Sequence, residues 1–407
     1  MTEQLKLKLN DSKATRWGAL VIVAFTMMAA YYVNDVVAPL KTMLETDLAW
    51  SSTDFGFFTG GYSFLNVFFL MLIWGGLILD RFGIRFTGKL ATILMVGGTA
   101  LEYYAMTGLA GADATLFGIN EIFGYKTGVF VAFAGYSIFG VGAEVAGITV
   151  SKIIAKWFKG KELATAMGVQ VALARIGSQA GYAVAIPLAR AFGISTPVLL
   201  GLVLLLGGMI AFFIFAVMDK KLDKQMEAAA IAAGTEDEEE KFSFKDVKNI
   251  LVNPGFWLIA LLCVLFYSCV FPFQKFASEL MIIKYGINEN VAGTFAGLPA
   301  LGALILTPVF GGFIDKRGKS ASIMLLGSAM LICVHFIYAI PDINYWLVAI
   351  VLMIILGIAF SLVPSAMWPA VAKIFPVSQL GTAYALIFFI QNIGLWGIPT
   401  LIRSEEH

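Results

Sequence analysis

Two charged residues stand by themselves in apolar surroundings, Glu144 in Gly142-Ala143-Glu144-Val145-Ala146 and Arg175 in Ala174-Arg175-Ile176-Gly177. An ionised group at the centre of an apolar helix that crosses a bilayer costs about 2.5–3.5 kcal/mol even on the lenient insertion scale, so such residues carry a purpose. A planar guanidinium offers a fork that fits a carboxylate, and a carboxylate in turn holds an ammonium. Counted from the turn they share, at 1.5 Å per residue, the two reach roughly 11 and 18 Å into adjacent antiparallel helices. A zwitterion such as a short peptide would satisfy both charges at once. A purely structural buried pair is the alternative.

Other polar groups lie within reach of such a site. Asp35 is set deep in the first apolar stretch after Tyr31, Tyr32 and Asn34. Trp368, between Pro364 and Pro369, would give an aromatic wall at a broken stretch of its helix, and Tyr267, Gln274, Gln391 and Asn392 are candidate polar contacts. Glu102, Lys275 and Glu279 have stems long enough to snorkel outward. Cys263, Cys269, Cys333 and His335 fall in apolar segments and read as packing residues, with no zinc spacing. There is no phosphate-binding Gly-x-x-x-x-Gly-Lys-Ser/Thr loop. Nor is there a nucleophile with a base, so neither an enzyme nor a cofactor is expected.

The elements that position these residues follow from composition. With 59% hydrophobic residues, 14% charged and 41 glycines in 407 residues, one soluble core is excluded. At roughly 20 apolar residues per crossing, eleven spans are read at 17–40, 54–79, 88–109, 127–150, 163–187, 194–218, 254–282, 289–314, 320–340, 345–371 and 378–402. The first is too long for a cleaved signal and should be retained. Cations gather in alternate turns (Arg81, Arg85, Lys89; Lys152, Lys156, Lys159, Lys161; Lys316, Arg317, Lys319; Lys373), which puts those turns and the N-terminus in the cytoplasm. The polar stretch 219–250, with Glu236-Asp237-Glu238-Glu239-Glu240, reads as a solvated linker ending in a surface helix before Asn253-Pro254. It divides the chain into an N-terminal half, 1–218, and a C-terminal half, 251–407.

The halves repeat one another. Ala155-Lys156-Trp157-Phe158 aligns on Ala372-Lys373-Ile374-Phe375, an offset that sets Arg175 against Asn392 and Glu144 against Ser361. Ionic chemistry is therefore confined to the N-half, faced by neutral polar groups and aromatics. Gly76-Leu77-Ile78-Leu79-Asp80-Arg81-Phe82-Gly83-Ile84-Arg85 has a degraded copy in Gly311-Gly312-Phe313-Ile314-Asp315-Lys316-Arg317-Gly318. In that turn Asp80 would accept from a helix N-terminus of the opposite half while Arg81 and Arg85 hold the neighbouring turn. Gly76 would let helices approach and Gly83 make the turn. With Asp315 and Arg317, these residues should govern conformational exchange without touching substrate.

The charged turn, the central linker and the duplicated turns resemble the major facilitator superfamily over essentially the whole chain. The segments around Asn34-Asp35, Glu144, Arg175 and Trp368 resemble the group within it that contains the lysosomal dipeptide transporter. The resemblance implies an all-α membrane fold of two pseudo-symmetric halves with substrate between them. It also implies dipeptide contacts for Glu144 and Arg175, and a first span lined toward the cavity by Tyr31, Tyr32 and Asn34. There Asp35 would bind a peptide N-terminus or carry a coupling proton. The superfamily usually has twelve spans; here the chain ends at Arg403-Ser404-Glu405-Glu406-His407, so the last is expected to be missing and His407 to be extracytoplasmic. A monomeric transporter of small zwitterions in a bacterial plasma membrane is expected, with the bilayer, dipeptides and possible protons as partners and no nucleic acid. A proton-coupled drug exporter or organic-anion carrier is the alternative.

Overall fold

The computed structural model describes residues 8–111, 114–158, 161, 163–233, 244–375 and 377–404. The N-half contains α1 (Lys13–Val36), the short α2 (Lys41–Asp47), α3 (Ser52–Phe68), α4 (Met71–Thr107), α5 (Thr127–Trp157), α6 (Leu163–Phe192) and α7 (Thr196–Ala233). After α8 (Phe244–Val252), the C-half contains α9 (Pro254–Ile283), α10 (Glu289–Ala296), α11 (Leu298–Arg317), α12 (Ser320–Ala339), α13 (Trp346–Ile374) and α14 (Val377–Ser404). Each of the eleven expected spans is helical. Among the described residues seven helices are long and apolar enough to cross a membrane unaided, or eight when the bent pair Ser52–Phe68 and Met71–Leu79 counts as one. The protein is a helical, multi-pass integral membrane protein whose one sheet among the described residues is a short two-stranded hairpin.

Local chemistry sets the helix ends. Asn253 caps α9, its side chain accepting from the Gly255 amide, and Pro254 fills the first turn, where its missing N–H costs nothing. Ser51 and Asp54 close a reciprocal capping box at the start of α3. The second span bends by 58° at residues 69–70, where Leu70 adopts a left-handed conformation. Gly83, at φ 75° and ψ 173°, turns the chain from the second span into the third inside α4, a conformation essentially restricted to glycine.

Several expectations are corrected. Gly76 is not a close-approach site: a Cβ there would meet nothing within 4 Å, whereas one on Gly75 would lie 2.5 Å from Val145. The helix rotates 100° per residue, and Gly75 holds the packed face. Nor does the sixth span's helix end at residue 218. It is α7 and continues to Ala233, and Asp219, fully enclosed just past the expected end, is bonded by Lys156, Trp157 and Arg85. The tenth span is unbroken through Pro364 and Pro369. The acidic run at 236–240 and His407 lie outside the described residues.

Among the described residues two large cores result, one in each half, with a small third cluster of Ile314, Ile323, Leu362 and Ala366 in the C-half. Buried residues from Ala19 to Leu222 make the first, and residues from Ile250 to Ile387 the second, which also takes in Ala38 and Tyr182 of the N-half. That intrusion lies opposite the linker, on the face carrying the β1 (Glu121–Ile122) and β2 (Tyr125–Lys126) hairpin. There a Cβ on Gly293 of α10 would stand 2.2 Å from the Tyr182 carbonyl and 3.1 Å from Pro39. Three ion pairs among the described residues bridge the halves on this hairpin side: Lys275 with Asp35 at 3.4 Å, Lys41 with Glu279 at 2.5 Å, and Arg190 with Glu289. The molecule is closed toward the hairpin face.

Three substitutions separate these roles. Gly83→Ala should destabilise by about 1–3 kcal/mol, while Gly76→Ala should be neutral or stabilising by up to about 1 kcal/mol; thermal unfolding in detergent reads both. Gly293→Ala should prop the hairpin face open, so that an impermeant thiol reagent reaches Gln274→Cys, a buried position bonded through its backbone to Tyr182. Unchanged labelling would show that the seal tolerates the methyl group.

Candidate functional site

Both lone charges lie between the halves, each met by one group from either side. Glu144 accepts from the Tyr62 hydroxyl of α3 at 3.0 Å, and Asn392 of α14 faces it from the other half. Arg175 stacks its guanidinium against the ring of Tyr31 in α1 at 5.2 Å and of Phe360 in α13 at 4.8 Å. Such cation–π contacts contribute on the order of 0.5–2 kcal/mol each and leave the N–H fork unspent. Among the described residues no carboxylate pairs with Arg175, and no ion pair joins it to Glu144. The two charges are separate stations, not a structural pair.

Tyr31 ties them together, lying within electrostatic range of Arg175, Glu144 and Asp35. Its neighbour Tyr32 is directed elsewhere: it is buried in the N-half, its hydroxyl donating to the Pro197 carbonyl at 3.2 Å. Of the two consecutive tyrosines expected on the cavity wall, Tyr31 meets Arg175 and Tyr32 does not. Asp35 is already engaged, accepting from the Asn34 amide at 2.9 Å and facing Lys275.

The C-half wall is aromatic, as the alignment of the halves led one to expect. Trp368 stacks on Phe388 at 4.9 Å and donates through its indole N–H to the Tyr267 hydroxyl at 3.3 Å. Phe360 meets Phe271 edge-on at 5.6 Å. Asn392 donates to the Phe388 carbonyl at 2.9 Å, and its Oδ1 has no described partner. Gln391 is buried and accepts from the Cys263 thiol. Phe360 escaped the sequence reading, although it adjoins Ser361, the residue aligned with Glu144. Ser361 itself turns to the Gly357 carbonyl.

The long charged side chains do not snorkel. Lys275 donates to the Asn34 carbonyl and to the Tyr136 hydroxyl, at 3.1 Å for the latter. Glu279 takes Lys41, which also holds Glu45 and Ser52. Glu102 is fully enclosed. Each sits where two elements meet, so the stem has no lipid-facing route. His335 is satisfied by the Leu331 and Cys269 carbonyls, as a packing histidine should be.

At the opposite, linker face, Arg85 pairs with Asp219 and, at 2.5 Å, with Asp223 of α7, so it clamps its own half. Arg81 and Arg317 are exposed and lie against Phe82 and Phe313. The side chains of Asp80 and Asp315 are outside the described residues.

Comparison with known proteins places the fold. The family model of the Major Facilitator Superfamily matches residues 20–397. The lysosomal dipeptide transporter MFSD1 of Homo sapiens is 29% identical over 396 residues, which are 94% of this chain and 78% of that protein. Its counterpart in Danio rerio is 28% identical over 387 residues, 92% and 77% of the two chains. Among solved structures, a D-xylose–proton symporter superposes over 95% of this chain and 89% of its own with a TM-score of 0.62 at 16% identity. The nucleoside transporter NupG gives 0.67 at 13% identity over 95% and 90%. Those two likenesses are of fold alone. A family match running nearly from end to end, over two helical halves that meet at a charged and aromatic interface, makes this chain a member of the Major Facilitator Superfamily of membrane transporters.

Proposed function

We propose that this transporter moves small zwitterionic solutes, dipeptides foremost, by alternating access, with Arg175 receiving the carboxylate and Glu144 the ammonium. One observation carries the reading: Arg175 has its hydrogen-bonding fork unengaged between two rings, while Glu144 is met by neutral groups only. Each charge is part-buried without a counter-ion among the described residues, an arrangement a zwitterion completes. The aromatic wall of Tyr267, Phe360 and Trp368 would accept apolar side chains, and Asn392 reaches from the C-half to Glu144. The name of the relatives as lysosomal dipeptide transporters supports the same substrate class.

An organic anion would also find Arg175 unpaired, and this keeps the anion-carrier reading in view. Glu144 on the same interface would repel it. The orientation with the N-terminus in the cytoplasm is supported by loop charge. A bacterial plasma membrane, the location expected from sequence, draws no support from relatives named lysosomal.

Thermal-shift titration with a dipeptide panel tests the reading. Arg175→Lys keeps the charge but loses the fork, and dipeptide binding should weaken by about 1.5–3 kcal/mol, the range for hydrogen bonds to charged groups. Glu144→Gln should weaken free dipeptides more than N-acetylated ones, which carry no ammonium. Stabilisation of the wild type by dicarboxylates and by no dipeptide would transfer the case to the anion carrier.

A further inference from the structure

The hairpin-side seal encloses a carboxyl group that nothing in the transport site uses. Glu102 in α4 is 0% exposed, and neither of its carboxyl oxygens has a hydrogen-bond partner among the described residues. From α5, Gly135 closes over its backbone: a Cβ there would lie 2.9 Å from the Glu102 nitrogen. Lys275 of α9 and Tyr136 of α5 are within its electrostatic range, and Lys275 is shared with Asp35 of α1. From α3, α7 and α14, which also pack on α4, no charged group among the described residues acts on it.

We infer that Glu102 is a proton-binding switch, reached from the hairpin face, that sets how firmly the seal between α1 and α9 holds. The group contains two carboxyls and one ammonium. Asp35 has the Asn34 amide and the Lys275 ammonium; Glu102 has no donor among the described residues. An enclosed carboxylate without hydrogen bonds is costly, whereas a neutral carboxylic acid is far less so. One proton on Glu102 makes the enclosed group electrically neutral beside the Asp35–Lys275 pair.

Opening the hairpin face withdraws α9 with Lys275 and admits water between α1, α4 and α5. The Glu102 carboxyl then gives its proton to that water and becomes a hydrated anion. The closed state therefore holds one proton more than the open state, so acid on the hairpin side favours closure and alkali favours opening. The residue lies one and a half turns from the hairpin end of its helix, at Thr107. Its proton thus enters and leaves on that side, which makes Glu102 a sensor of that compartment and not a carrier of protons across the membrane. The inference depends on alternating access in this fold and is indifferent to which solute is carried.

Spin labels at Ser195→Cys and Asp342→Cys, in a background with Cys263, Cys269 and Cys333 replaced by alanine, measure the opening of the hairpin face in reconstituted protein from pH 5 to 8. The wild-type ratio of open to closed distances should rise with pH, approaching about tenfold per unit for a single proton. Glu102→Gln, a permanent mimic of the protonated acid, should remain closed with a flat profile, and Glu102→Asp should restore a slope. A Glu102→Gln profile that follows the wild type, or a wild type with no slope, would overturn the inference. Infrared spectra provide a check independent of any variant: the wild type should show a protonated-carboxyl band that fades as the hairpin face opens, and its absence at pH 5 to 7 would overturn the assignment as well.

Discussion

An ion cannot be left unpaired between two apolar helix bundles without a large cost, and that constraint organises this molecule. Wherever a half presents a charge to the interface on the hairpin side, the other half returns its opposite: Asp35 to Lys275, Lys41 to Glu279, Arg190 to Glu289. Each pair is made of one residue per half, so it exists only while that face is shut. Gly293 against the Tyr182 backbone adds the steric counterpart, since α10 approaches α6 more closely than any side chain would permit. Closure is thus encoded in charge and in shape together, and both are released in one motion.

The centre of the interface departs from that rule. Arg175 and Glu144 are met from the C-half by a ring and an amide, so the pairing that seals the hairpin face is withheld there. A site that must exchange its occupant is better served by weak, neutral partners than by a resident counter-ion, because the solute then has no ion pair to displace. The inner charges therefore tolerate the halves moving apart, whereas the outer ones hold them together.

Much of this was legible in the sequence. Span positions follow from apolar length, the two halves from the repeated turns, and the neutral C-half counterparts of the two central charges from the offset that pairs Arg175 with Asn392 and Glu144 with Ser361. The expected confinement of charge to the N-half fails on the hairpin side, where Lys275, Glu279 and Glu289 of the C-half are paired across the interface. What stayed hidden was direction. One residue along a helix is a rotation of 100°, enough to exchange Tyr31 for Tyr32, Gly75 for Gly76 and Phe360 for Ser361. Partnership was hidden too: Lys275 and Asp35 are 240 residues apart, and their joining depends on how the halves meet. A sequence shows that a charge lies within a span, but only the assembled interface shows what answers it. Glu102 is the extreme case, since its isolation is a property of everything packed around it.

The length of α7 has a mechanical consequence. Its 38 residues, at 1.5 Å each, extend about 57 Å against a hydrocarbon thickness of about 30 Å. Asp219, gripped by Arg85, Lys156 and Trp157, anchors the shaft where its protruding section begins. The covalent bridge between the halves consequently departs from the far end of this helix, and the chain from Ala233 to Phe244 can span at most roughly 36–40 Å when fully drawn out. A leash of that reach, tied at that end, sets an upper limit on how far the two halves can swing apart at the linker face.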